Sequence, residues 1–523
     1  MITTEYVELP QATSITPNVG AHGENSEATG KNTSALASNS SASGEETLAS
    51  GKDSTAKGFK TVAHGDASSA EGAGSISYGH LSHTEGENSM AFGTASHAEG
   101  GNISMSPMLP LRHTEAETPM AFSTASIAFP TKAGGRASHA EGAGTRTGGF
   151  DSEETPVFDD IWEGDENEGA YAHAEGFKTV AYGQSSHVEG VETYAEGKAS
   201  HAEGVETYAS GEASHTEGYV SYASGFASHA EGYGTYVEGD GSHAEGYGTI
   251  TTGNYSHAEG NASHAEGYAS HAEGLRTRTY GSYSHAEGIS TYAEGKASHA
   301  EGLRTIARGA KVSHAEGADT IASGCGSHAE GHLSIAEGDN SHAEGHGTNA
   351  SAKNAHAEGE TTIASGEGSH AEGRKNVAEG NYSHAEGGGS NGSESSPYYY
   401  LNHAGGEGSH AEGGDTSTGV YNSNGYYYYG GRFAHAEGYG SNAGADYSHA
   451  EGEYSTASGD GSHAEGYGTI TTGSHSHAEG YSSRAYGTNS HAEGRYTLAD
   501  GLNSHAEGES ITGTFTFEAL GGE

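Results

Sequence analysis

The chain has 523 residues, only 32% of them hydrophobic and 87 of them glycine, so it cannot build an ordinary large apolar core. Lysine and arginine number 22 against 71 aspartates and glutamates, and the formal charge of −49 disfavours nucleic acid and anionic membranes as partners. A single cysteine, Cys325, excludes an intrachain disulfide, and no stretch approaches the ~18 apolar residues of a membrane-spanning helix.

Residues 1–17 are non-repetitive and punctuated by Pro10 and Pro17; they read as an N-terminal attachment or capping segment. They contain no basic start followed by an apolar run, so they do not resemble a secretory signal. Residues 18–100 read as early repeats, with Gly44, Gly51, Gly58, Gly65, Gly72, Gly79, Gly86, Gly93 and Gly100 falling seven apart. Residues 101–136 read as degenerate repeats. His97 and His139 stand three whole periods apart, so coils are expected to continue between them, with Ile127 and Phe129 in the slots where His and Glu stand elsewhere.

Residues 137–508 form the main repeat, built on the word Ser-His-Ala-Glu-Gly. Its histidine returns with a fixed period of 14 at His187, His201, His215, His229, His243, His257, His271, His285 and His299. After one extra position the spacing resumes at His314. Midway lies a looser word such as Thr207-Tyr208-Ala209-Ser210-Gly211. Inserted loops are expected near 147–170, 387–408 and 414–433, and residues 509–523 read as a C-terminal cap. The span from His139 to His173 reads as two coils with a short insertion. All eight prolines lie outside the clean repeats, as a strand solenoid requires.

Low hydrophobicity with high charge ordinarily signals disorder, but a disordered chain has no reason to keep a period of 14. Glycine at every seventh position also rules out the heptads of a coiled coil. Side chains alternate along a strand, so Ser and Ala of the word share one face while His and Glu share the other. The small face must be the inside of a thin roll. Two five-residue strands and two glycine-bearing corners are expected per coil, with glycine supplying positive φ. Roughly 33 coils stacked at ~4.8 Å predict a rod on the order of 160 Å long.

The outward positions of the looser word vary (Tyr208, Ile250, Tyr292, Ile306, Val377), whereas His and Glu hardly change. One sheet is therefore expected to face something repetitive, and the simplest repetitive neighbour is another copy of the chain. The histidines and glutamates are read as a hydrogen-bonded ladder between chains in preference to metal ligands, and no cofactor is expected. Ser and His of one word point to opposite faces and cannot form a catalytic triad, so no enzyme is expected.

Aromatic clusters mark the loops: Trp162; Tyr398, Tyr399 and Tyr400; and Tyr426, Tyr427, Tyr428 and Tyr429 with Arg432. Exposed aromatics on the loops of a scaffold suit recognition of a glycan or protein.

The pattern resembles the head repeat of trimeric autotransporter adhesins, whose Asn-Ser-Val-Ala-Ile-Gly aligns with x-Ser-His-Ala-Glu-Gly over roughly residues 20–508. The Ser-His-Ala-Glu-Gly variant is more similar to repeats of bacteriophage appendage and tail-fibre proteins. The resemblance implies an all-β, left-handed parallel β-roll (a β-solenoid), one coil per period, assembled as an elongated homotrimer. It further implies that His201, Glu203, His243, Glu245, His257, Glu259, His299, Glu301, His463 and Glu465 line the threefold interface, with Ile127 and Phe129 in the same slots.

The expected function is a structural fibre or adhesin of a phage particle, located on the virion surface. Its N-terminus would join other assembly proteins, and its loops would meet a host glycan or surface protein, with no nucleic acid bound and no membrane insertion. The alternative is a bacterial cell-surface or extracellular filament.

Overall fold

The computed structural model describes residues 20–100, 131–148, 169–388, 402–421, 427–428, 430–510 and 512–513. The chain divides into two compact units, Met1–Asn261 and Ala262–Glu523, each a parallel β-solenoid whose coils follow the sequence period. Among the described residues there is no helix.

The coil beginning at His201 shows how the repeat folds. His201–Val205 forms a strand that pairs in parallel register with His187–Val191 before it and His215–Tyr219 after it. A second strand, Tyr208–Ala209, pairs with Tyr194–Ala195 and Tyr222–Ala223. Like residues therefore stack on like, one coil apart, and each coil buries its inner face on the next. The two strands are unequal, five residues against two, where the repeat predicts equal ones. The looser word spends more of its length in the corners.

Ser200, Ala202, Thr207 and Ala209 point inward and are buried, whereas His201 and Tyr208 are half-buried on the outside and Glu203 is exposed. The core is thus a column of alanines flanked by serines and threonines. Val188 and Val237, both fully buried, take alanine's place in two coils. So narrow a core fits a chain that is one-third hydrophobic, because the apolar area buried comes from repetition.

The corners differ from expectation. Glycines at the end of the longer strand do hold positive φ, 117° at Gly204, but Gly211 of the looser word does not. The tight left-handed turns fall two places further on, at residues such as Glu206 (φ 55°) and Ala213 (φ 57°). At that conformation Ala213 turns its N–H back to donate to the carbonyl of Lys198 in the preceding coil at 2.8 Å, so the ladder continues around the corner. Ser214 closes the same turn, its Oγ donating to the Gly211 carbonyl at 2.7 Å.

Glycine serves a second need. A Cβ on Gly211 would lie 2.1 Å from the carbonyl oxygen of Gly225, and one on Gly218 would lie 2.1 Å from that of Gly232. Coils approach too closely there for any side chain.

The extra residue after His299 is absorbed at a corner, and the ladder resumes with His299 opposite His314. Two register readings are corrected. His97 pairs directly with His139, and Met90–Ala91 with Lys132–Ala133, so no coil of 101–130 lies between them in the ladder. Residues 101–130 themselves, where the spacing of three periods leads one to expect coils, lie outside the described residues. Likewise His139 pairs with His173, so the span between them is one coil with a long insertion, not two coils with a short one. Ladder pairing also spans the later loops, with His384 opposite His410 and His410 opposite His435.

Candidate functional site

The outward face of the longer strand carries the feature that the sequence singles out. Parallel in-register pairing sets each histidine directly above the next. His201 lies 4.7 Å, centroid to centroid, from both His187 and His215, and His463 lies 4.8 Å from His477 with the rings nearly parallel. The glutamate two positions on leans toward its own histidine. The Nε2–Oε2 distances are 3.8 Å for His201–Glu203, 4.0 Å for His243–Glu245, 3.7 Å for His257–Glu259, 3.4 Å for His299–Glu301 and 3.7 Å for His463–Glu465. A carboxylate thus stands beside each of these rings in its own chain, where the ladder reading puts it in a neighbouring one. Each of these histidines and glutamates lies in this one kind of row within its own unit.

Nε2 of His201, His243 and His463 is enclosed by the row and has no hydrogen-bond partner. The glutamate beside each stands 3.8, 4.0 and 3.7 Å away, beyond hydrogen-bond reach. Burial first, and the adjoining imidazoles second, hold His201 and His463 below the usual histidine range. The His201 and His463 imidazoles are therefore uncharged at neutral pH.

The opposite sheet presents a mixed series. Tyr194, Tyr208 and Tyr222 stack there at 4.7 and 5.1 Å, and at the end of the longer strand, in the histidine sheet, Tyr219, Tyr233 and Tyr247 stack at 5.0 and 4.9 Å. Of these tyrosines the sequence reading notes only Tyr208, as a variable position. Their recurrence at the coil period was the signal that would have revealed two aromatic columns. Stacked in this way they cover one another's faces and offer edges and hydroxyls outward.

The proposed recognition residues are only partly placed. Trp162, Tyr398, Tyr399, Tyr400, Tyr426 and Tyr429, like Ile127 and Phe129 of the proposed interface, lie outside the described residues. Tyr427–Tyr428 form a short strand antiparallel to Val420–Tyr421. Arg432 is already engaged: its guanidinium donates to Asp446 at 2.6 Å and its backbone N–H donates to the same carboxylate at 3.0 Å, holding the Asp446 carboxyl below its usual range. Cys325 is half-buried at a corner, where its N–H donates to Asp339 at 2.9 Å.

The serine and histidine of each word serve separate ends. Ser200 Oγ donates inward to the Gly197 carbonyl at 2.6 Å while His201 stands outside. Among the described residues, five groups of one glutamate and two histidines, from successive coils, bring their ligand atoms within 4.8 Å of one another. No family model and no curated protein matches the chain.

Proposed function

We propose that the chain is a structural spacer that self-associates as a homotrimer through its histidine–glutamate face and carries recognition loops, as a fibre or appendage of a phage particle. One observation carries this reading: the contrast between the two outer faces. One repeats the same half-buried imidazole and the same carboxylate at successive coils, and the other changes along the stack, from Tyr236 to Ile250 and from His264 to Arg278. A monotonous polar row, with ring nitrogens enclosed and unpaired at His201, His243 and His463, is costly as a solvent face and well suited to a register-defining seam between identical chains. The resemblance to trimeric adhesin heads, whose matching positions face a threefold axis, supports the same choice of face.

The N-terminal segment joins the assembly in this reading, and the residues between coils meet a host glycan or surface protein. Replacing residues 149–168, 389–401 and 422–429 with short glycine-serine links is expected to abolish binding of the labelled protein to host cells. Its molar mass should not change. Undiminished binding by the replaced protein removes the recognition role. Antibody labelling of cell envelopes, with none on particles, supports the filament alternative instead.

A further inference from the structure

We propose that the stretch of the histidine row from His356 to His435 is a divalent-metal site that takes two zinc-class ions per chain. Four of the five groups that bring two histidines and a glutamate together form one unbroken series within the second unit: His356–Glu358–His370, His370–Glu372–His384, His384–Glu386–His410 and His410–Glu412–His435. Elsewhere among the described residues, only His229–Glu231–His243 draws its ligand atoms as close.

The donor set is imidazole nitrogen with carboxylate oxygen, which suits zinc and its neighbours among the first-row metals. His384 Nε2 already lies 3.1 Å from Glu386 Oε2, close to the ~3.3 Å edge of a tetrahedron with ~2.0–2.1 Å bonds. The imidazole of the next coil, a rung of about 4.8 Å away, completes the group by leaning along the row, which its half-exposed ring permits. Nε2 of His356, His370, His384, His410 and His435 is enclosed and without a hydrogen bond, so each has a lone pair or proton that nothing in the fold uses. A metal ion takes that lone pair and leaves a fourth position for water.

Neighbouring groups share a histidine, which fixes the stoichiometry. Two ions fit without sharing, for example on His356–Glu358–His370 and His384–Glu386–His410. The separate group in the first unit adds a third ion. The sites are complete within one chain and do not depend on self-association.

The test is zinc binding to the full chain by equilibrium dialysis after chelator treatment, with cobalt as a spectroscopic probe. Wild type is expected to hold about three ions per chain, with cobalt giving the visible bands of a four-coordinate site. Changing Glu358, Glu372, Glu386 and Glu412 to Gln keeps the shape of the row and should lower the count to about one ion. Changing Glu479 and Glu493 to Gln, on the same row but in no such group, should leave three. No zinc retained by wild type overturns the proposal. So does equal loss from the two variants, which would show that the row attracts cations merely by charge. Molar mass measured on the same samples separates this outcome from a failure of the trimer.

Discussion

Gly218→Ala is expected to break the ladder at its coil, whereas Gly234→Ala, in a corner of the next coil, should be tolerated. The added Cβ at 218 meets the carbonyl oxygen of Gly232 at 2.1 Å, and the residue holds φ at +108°. Neither obstacle is a movable side chain; both are backbone. Overpacking and backbone strain each contribute about 1–3 kcal/mol, so the substitution costs several kcal/mol. Because a solenoid is held by nearest-neighbour interfaces, that cost falls on the coils either side and opens the stack there.

At Gly234 a Cβ finds nothing within 4 Å, and its φ of +65° is close to the 55° that Val220 adopts one coil earlier. The cost there is about 1 kcal/mol. Urea denaturation and amide exchange across 215–219 measure both variants. Equal destabilisation would mean that glycine is there for chain freedom and not for close approach between coils.

Melting temperature is expected to fall by at least several degrees as pH drops from 7.5 to 5. His173, His201, His463 and His477 are held below their ordinary pKa, first by burial and second by the imidazoles above or below them. A group with a depressed folded pKa binds fewer protons when folded than when unfolded. The stability it contributes is therefore full above the unfolded value of about 6.5 and is lost as pH falls through the lower folded value. Protonation also relieves the overall charge of −49, which works in the opposite direction.

The local effect wins because burial, the first cause, together with the imidazole 4.8 Å away, outweighs the carboxylates that stand beside these rings and pull the other way. A melting temperature that stays flat or rises over this range would contradict the depressed values.

The coil was legible because its period is written in three ways at once. Histidine marks the outer face, serine and alanine the inner one, and glycine the places where backbones meet. What counting could not supply was register across insertions. An insertion two whole periods long leaves the phase of the repeat intact, so His97 to His139 looks like three coils when the ladder steps across in one.

The corners were hidden for a related reason. The left-handed positions hold Glu206, Ala213, Val220 and Tyr255, which share no side-chain property, because their conformation is imposed by the N–H that must reach the preceding coil. The unequal strands were hidden too: a repeat length reports coils, not how much of each coil pairs. The grouping of His356 to His435 into metal-sized clusters depends on tenths of an ångström in otherwise identical words, which no spacing rule carries.

Self-association through the histidine–glutamate row is the claim on which the functional reading stands, and light scattering at neutral pH tests it most directly. The account predicts a molar mass three times the 53.2 kDa of one chain, unchanged on dilution. A species of 53.2 kDa that persists at high concentration would contradict it and leave the row facing water.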